Sequence, residues 1–249
     1  MNAGGCTLDT LEGGKLRILQ PERGYRFSVD ALLLADFVRP TDGERILEIG
    51  AGCGVVSLLL AFHNPTLRIV SVEIQPQLAG LAARNAVMNG LETRMEVLCR
   101  DIRELSLRDI GTPADRVLTN PPFHKVGSGR INPRSQQALA RHELTATIQD
   151  IVHAASRLLR KGGRFDLIYC PDRLTELMIA MTSADIEPKT MQFVHGNPGN
   201  PARMVLVSGV RGGRAGGLIV RPPMFVAEEK KEGAIGKAEI PFSGIDRKV

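Results

Sequence analysis

Hydrophobic and polar residues alternate on both sides of a Gly-Gly step near the start of the chain, over residues 7–11 and 15–19, with Glu12, Gly13 and Gly14 between them. Period-two alternation flanking glycines predicts a β-hairpin. Pro21 to Gly24 ends that pattern and a helical one follows. Ser28 is placed to cap a helix running to about Val38, whose apolar side carries Leu32, Leu33, Leu34 and Phe37. Pro40 to Gly43 closes it. From residue 45, short β-branched runs alternate with helical patterns. Strands are expected at 45–49, 68–72, 95–99, 116–119 and 164–170, and helices at 55–62, 76–89, 145–160 and 173–183. The second of these helices has Pro76 near its start and Gly90 past its end. The third is expected to stop at Gly162 and Gly163. Strands at 190–195 and 204–210 finish the series, with only a Gly/Pro/Asn loop between them.

Strands alternating with helices imply a mostly parallel sheet covered on both faces. Two final strands joined without a helix require one of them to run antiparallel. The expected fold is α/β: a Rossmann-like, seven-stranded, mostly parallel sheet with helices on both faces and an antiparallel closing strand, preceded by the N-terminal hairpin and helix. Residues 1–42 read as that N-terminal extension, 43–211 as the main domain and 212–249 as a C-terminal extension. The run from Arg211 to Gly217 resembles an RGG segment only superficially and reads as a link from the last strand to the tail. Partial disorder is expected for 228–249, where charges and glycines mix.

Composition narrows the classes. The chain is 43% hydrophobic and 24% charged, as in an ordinary globular protein. It has no run of roughly 18 apolar residues of the kind that spans a membrane, and no basic start followed by an apolar stretch of the signal-peptide kind. Cys6, Cys53, Cys99 and Cys170 are scattered with no C-x-x-C pair, and the histidines form no ligand pattern. Free thiols in a reducing cytoplasm are expected, and no metal site. The net charge of +5 permits a polyanionic partner without requiring one. Oligomeric state is not legible.

In open α/β sheets, ligands bind beyond the carboxyl ends of the strands. Four strands here end in chemically useful residues: a Gly-rich turn, Glu73, Asp101 and Asn120. The turn, Glu48 to Gly54, follows a strand and opens a helix. Gly50, Gly52 and Gly54 let the backbone turn tightly and approach a ligand without a Cβ in the way. A dinucleotide fingerprint needs G-x-G-x-x-G, whereas here the third glycine falls one residue early and Val55 stands in its place, which counts against NAD. Glu73 ends the next strand, where a carboxylate accepts hydrogen bonds from both hydroxyls of a ribose.

Turn and acid together resemble class I S-adenosylmethionine-dependent methyltransferases. The resemblance implies S-adenosylmethionine as the cofactor and makes 43–211 the methyltransferase domain. It implies Gly50, Gly52 and Gly54 at the amino-acid and sugar portions, with Glu48 at the ammonium directly or through water. Glu73 and Ile74 fall at the ribose, Asp101 and Ile102 at the adenine, and Asn120 at the edge of the same cavity. For Asp101, capping a helix that begins near Ile102 is an equal alternative.

Asn120, Pro121, Pro122 and Phe123 follow the fourth strand. The prolines stiffen the turn and bias Asn120 toward an extended backbone. An exocyclic amine is a poor nucleophile, because its lone pair is spread into the ring. The amide oxygen of Asn120 and the carbonyl of Pro121 can each accept one amine hydrogen, favouring a pyramidal nitrogen with its lone pair exposed. Phe123 offers a stacking face worth about 1–3 kcal/mol. Holding both reactants in contact supplies much of the acceleration. The four residues resemble the N-P-P-[FY] motif of amino methyltransferases acting on adenine, guanine or glutamine amides, which implies that they are catalytic.

The segment from Arg26 to Asp36 resembles the stretch preceding the Gly turn in bacterial tRNA(Val) adenine-N6 methyltransferases, and that resemblance extends over roughly residues 7–210. It implies Arg26, Ser28 and Asp30 near the methyl-transfer site; a capped helix with ordinary surface charges is the alternative. His124 and Lys125, followed by Arg130, Arg134 and Arg141 with no acidic residue among them, suit contacts to RNA phosphate or base; a solvated loop is the alternative. The expected function is methyl transfer to the N6 amine of adenine in RNA, with tRNA as the expected substrate. Same-class alternatives are a guanine-N2 rRNA methyltransferase and a protein glutamine N5-methyltransferase; a NAD-dependent oxidoreductase is the alternative from another class.

Overall fold

The computed structural model describes residues 5–122 and 146–226. An antiparallel hairpin comes first: β1 (Cys6–Leu11) pairs with β2 (Leu16–Pro21) across a 3-10 turn at Glu12–Gly14. Helix α1 (Val29–Phe37) follows. Ser28 occupies its N-cap position with extended backbone, but its hydroxyl bonds the Asp30 carboxylate rather than a backbone N–H.

The main sheet is built from β3 (Arg45–Ile49), β4 (Arg68–Glu73), β5 (Met95–Cys99), β6 (Ala114–Thr119), β7 (Leu159–Tyr169), β8 (Ile186–His195) and β9 (Met204–Arg211). Their order is β5-β4-β3-β6-β7-β9-β8. All run parallel except β9, which is antiparallel to both β7 and β8. The seven-stranded sheet with one antiparallel closing strand is the expected one. Two short additions, β10 (Ile219–Val220) and β11 (Met224–Phe225), pair in parallel with the outer strand β8. The glycine-rich run after β9 is the connector to these edge strands: Gly212 N–H donates to the Asp185 carbonyl and Gly216 N–H to the Glu187 carboxylate. Residues 228–249, where disorder was expected, lie outside the described residues.

The central strands read as nearly continuous apolar runs because both faces are covered. Alternate residues go to opposite cores. Ile46, Ile69, Leu118, Ile168 and Leu206 pack with α1, α2 (Val55–His63) and α3 (Pro76–Met88). Leu47, Val72, Val117, Phe165, Leu167 and Val207 pack on the other face, with α4 (Leu107–Ile110), α5 (Ile148–Leu158) and α6 (Leu174–Ser183). Helix α2 is buried from Val55 to Ala61, which explains its unbroken apolar sequence.

Helix α5 departs from expectation at both ends. It starts at Ile148, where Thr147 and Asp150 form a capping box, and it stops at Leu158. Gly162 and Gly163 do not terminate it; they lie inside β7. A Cβ on Gly163 would stand 2.9 Å from the Arg160 carbonyl oxygen and 3.0 Å from that of Asp115. This glycine admits a close backbone approach where the β6–β7 register shifts between Ala114 and Arg116.

The N-terminal hairpin is docked onto α3 through two asparagines. Asn89 takes the Arg17 N–H on Oδ1 (2.9 Å) and donates Nδ2 to the Arg17 carbonyl (2.7 Å). Asn85 does the same for Leu19 at 2.7 and 2.9 Å. Residues i and i+4 of a helix lie about 6 Å apart, close to the i, i+2 repeat of a strand. Two side-chain amides thus stand in for a missing neighbour strand along β2.

Candidate active site

Strand register brings the sequence-predicted residues into one row. Ile49 pairs with Thr119 on one side and with Val72 on the other. The next residues, Asn120, Gly50 and Glu73, therefore sit side by side at the carboxyl ends of β6, β3 and β4. Glu73 pairs in turn with Cys99, the last residue of β5. At a spacing of roughly 4.8 Å per strand, Asn120 and Glu73 are ~10 Å apart across Gly50. Thr119 locks the row by donating its buried hydroxyl to the Ile49 carbonyl at 2.9 Å.

The Gly turn folds back over the end of β4. Gly50 and Ala51 both donate their N–H to the Val72 carbonyl, at 2.8 and 3.0 Å. Gly50 and Gly52 have φ of +71° and +57°, the left-handed region that glycine alone enters without penalty. A Cβ on Gly50 would meet nothing within 4 Å, so the centre of the row opens onto unfilled space. At Gly54 a Cβ would press on Met95 and Ala82; that glycine serves packing beneath the turn.

The two carboxylates have different surroundings. Glu73 is 5% exposed. Its Oε2 accepts the Gly52 N–H and its Oε1 the Gln75 N–H, each at 2.9 Å. Each oxygen keeps a lone pair for another donor. Glu48 is buried and turned toward α2, where its Oε2 accepts the Ser57 N–H (3.1 Å) and hydroxyl, and Ser71 supports Ser57 from below at 2.8 Å. Burial pushes Glu48 up to about 7; the Ser57 bonds oppose this and the nearby Glu73 adds to it. Cys53, inside the turn, is pushed by burial up to about 12 and is an unreactive thiol.

The other predicted residues are placed as follows. Asn120 is half-buried, Pro121 buried and Pro122 exposed. Ile74 is half-buried, and its carbonyl lies 3.8 Å from Cys99 Sγ. Ile102 is part of the core beneath α5. Asp101 caps no helix at Ile102; its carboxylate is engaged by the Arg103 side chain and takes the Arg103 N–H at 2.9 Å, and Arg103 holds it below the usual carboxylate range. Arg26 is turned onto the hairpin, donating to Thr7 Oγ1 (2.7 Å), the Pro21 carbonyl (3.0 Å) and Asp9 (2.9 Å). Ser28 and Asp30 bond each other at the start of α1. Phe123, His124, Lys125, Arg130, Arg134 and Arg141 lie outside the described residues.

One residue of the site was missed from sequence. Tyr25 packs its ring on Gly52. A single tyrosine in an irregular stretch carries no periodic signal, and its partner is far along the chain. Among the described residues there is no cluster of three or more His, Cys, Asp or Glu able to hold a metal, and no helix long and apolar enough to cross a membrane.

Sheet order and the single antiparallel strand give the architecture of a Rossmann-like methyltransferase. The methyltransferase small domain family matches residues 28–176, and the chain belongs to that family. A relative from Bacteroides fragilis, a tRNA1(Val) (adenine(37)-N6)-methyltransferase, is 28% identical over 183 residues, covering 74% of this chain and 76% of the relative. Among solved structures, an Agrobacterium tumefaciens protein described as a predicted O-methyltransferase superposes with a TM-score of 0.64 at 25% identity, over 79% of this chain and 86% of its own. A geranyl diphosphate methyltransferase in complex with S-adenosylmethionine shares the fold, with a TM-score of 0.53 at 14% identity over 74% of this chain and 84% of that one.

Proposed function

We propose that this methyltransferase uses S-adenosylmethionine to methylate the exocyclic N6 amine of an adenine in RNA, with tRNA as the substrate class. The observation that carries the reading is the row Asn120–Gly50–Glu73, which joins an amide acceptor, an open turn and a ribose-type carboxylate along adjacent strands. The residues suit the cofactor. Gly50 leaves room, Glu73 has lone pairs free toward two hydroxyls, and Glu48 is a buried acid whose raised pKa an ammonium would relieve. The cofactor supplies a methyl on a sulfonium, activated for in-line attack.

The protein's part is placement and hydrogen bonding. Asn120 Oδ1 and the Pro121 carbonyl accept the two amine hydrogens, turn the nitrogen lone pair toward the methyl and fix the line of attack. With the cofactor bound, its methyl would pass to this nitrogen and leave the sulfur as a neutral thioether, and the methylated amine would give its extra proton to water. Two acceptors suit an amine with two hydrogens better than a hydroxyl with one, which favours nitrogen over the oxygen chemistry described for the Agrobacterium protein. The Bacteroides relative supports adenine in tRNA.

Mass spectrometry of nucleosides from cellular RNA, with and without this protein, tests the reading. N6-methyladenosine is expected to fall in the tRNA fraction when the protein is absent. A change confined to N2-methylguanosine or to 2′-O-methylated nucleosides would replace it.

A further inference from the structure

The chemistry above leaves Tyr25 without a task, yet Tyr25 is packed on the turn that this chemistry depends on. It lies between β2 and α1, beside Arg26 and Phe27, which the hairpin holds through Asp9, Thr7 and Gln20. A Cβ on Gly52 would stand 2.5 Å from Tyr25 Cε1 and 2.8 Å from its hydroxyl oxygen. The ring thus takes up the space that the missing Gly52 side chain leaves. The residue nevertheless keeps 43% of its surface exposed. Burial of its hydroxyl end raises the phenol pKa well above the ordinary value, and Cys53, Glu48, Asp30 and Glu73 raise it further. Tyr25 therefore stays a protonated donor with an aromatic face, within electrostatic reach of three carboxyl groups. Aromatic faces and carboxylates both attract cations. On S-adenosylmethionine the cations lie on the amino-acid end and not on the adenosine.

We infer that Tyr25 is a wall of the cofactor site, holding the cation-bearing amino-acid end of S-adenosylmethionine against the 50–54 turn. The inference rests on reading that turn as the cofactor site, and its test separates the two. Titration calorimetry on the full chain uses two probes: S-adenosylhomocysteine, which keeps the amino-acid end, and 5′-methylthioadenosine, which lacks it. Tyr25→Leu is expected to weaken S-adenosylhomocysteine about tenfold and to leave 5′-methylthioadenosine within about twofold, while Tyr25→Phe, which keeps the ring, retains most of the affinity.

A second readout needs no turnover. The chain has no Trp and only two tyrosines, Tyr25 and the buried Tyr169. Tyrosine emission is expected to change on binding S-adenosylhomocysteine in the wild type and not in Tyr25→Phe, whether or not Tyr25→Leu is stably folded. Unchanged affinity in Tyr25→Leu, equal loss for both probes, or an emission change that survives in Tyr25→Phe overturns the inference. Failure of the wild type to bind either probe overturns the cofactor reading itself.

Discussion

Burial against Ser57 pushes the Glu48 carboxyl from its ordinary value of 4.5 up to about 7. Between those values the folded state holds more of the proton than the unfolded state. Stability from this group therefore falls as pH rises through the window and is level above it. Glu48→Gln removes the slope, so the variant is expected to be more stable than wild type at pH 8 by up to ~3 kcal/mol, the gap shrinking toward pH 4.5. Urea unfolding at pH 5 and pH 8 checks this; a pH dependence identical in both proteins contradicts it. The residues of this row were legible in the sequence because each ends a strand, and a strand end has a fixed place in a parallel sheet. What each carboxylate touches was not legible. Glu48 faces Ser57, Asp101 is taken by Arg103, and Arg26 turns to Asp9, all choices of rotamer and neighbour that spacing does not encode.

The hairpin belongs to the site through α3. Asn85 is fully buried, and its Nδ2 bonds the Cys53 carbonyl at 2.9 Å as well as the Leu19 carbonyl, which links hairpin and Gly turn. Asn85→Ala strands three backbone groups at once and is expected to destabilise the protein by about 2–3 kcal/mol, with Asn89→Ala, at the exposed end, costing about 1 kcal/mol or less. Equilibrium unfolding of the two variants measures the difference; equal effects would show that the inner asparagine has no special part. Elements with a strong period were readable from sequence: the hairpin, α2, α3 and the five strands from β3 to β7. The start of β7 was not. Gly162 and Gly163 look like a helix stop, and only the approach of the Asp115 and Arg160 carbonyls to Gly163 reveals the reason for the glycine. The docking of β2 was also hidden, since its signal is a match between an i, i+4 pair of amides and an i, i+2 strand repeat on separate elements.

Across the whole molecule, the proposed chemistry and a buried ion-pair network occupy opposite ends of the sheet. At the amino-terminal half, Arg116 is 3% exposed and bonds Asp166, Glu44 (2.8 Å) and the Arg39 carbonyl (3.0 Å). Burial works against the Glu44 anion, but Arg116 holds its carboxyl below the ordinary range. Arg116→Met leaves buried acids uncompensated and is expected to cost about 3–5 kcal/mol, seen as a lower urea midpoint, with methyl transfer kept at temperatures where the variant is folded. In the proposed function the carboxyl ends carry the reaction. Transfer of a labelled methyl from S-adenosylmethionine to RNA lacking the modification, followed by nucleoside digestion, tests that claim for wild type and Asn120→Ala side by side. The account predicts label in N6-methyladenosine from the wild type, and a rate about 10²–10³-fold lower from Asn120→Ala with S-adenosylhomocysteine affinity largely kept. Undiminished transfer by Asn120→Ala, or label in any nucleoside other than N6-methyladenosine, would contradict it.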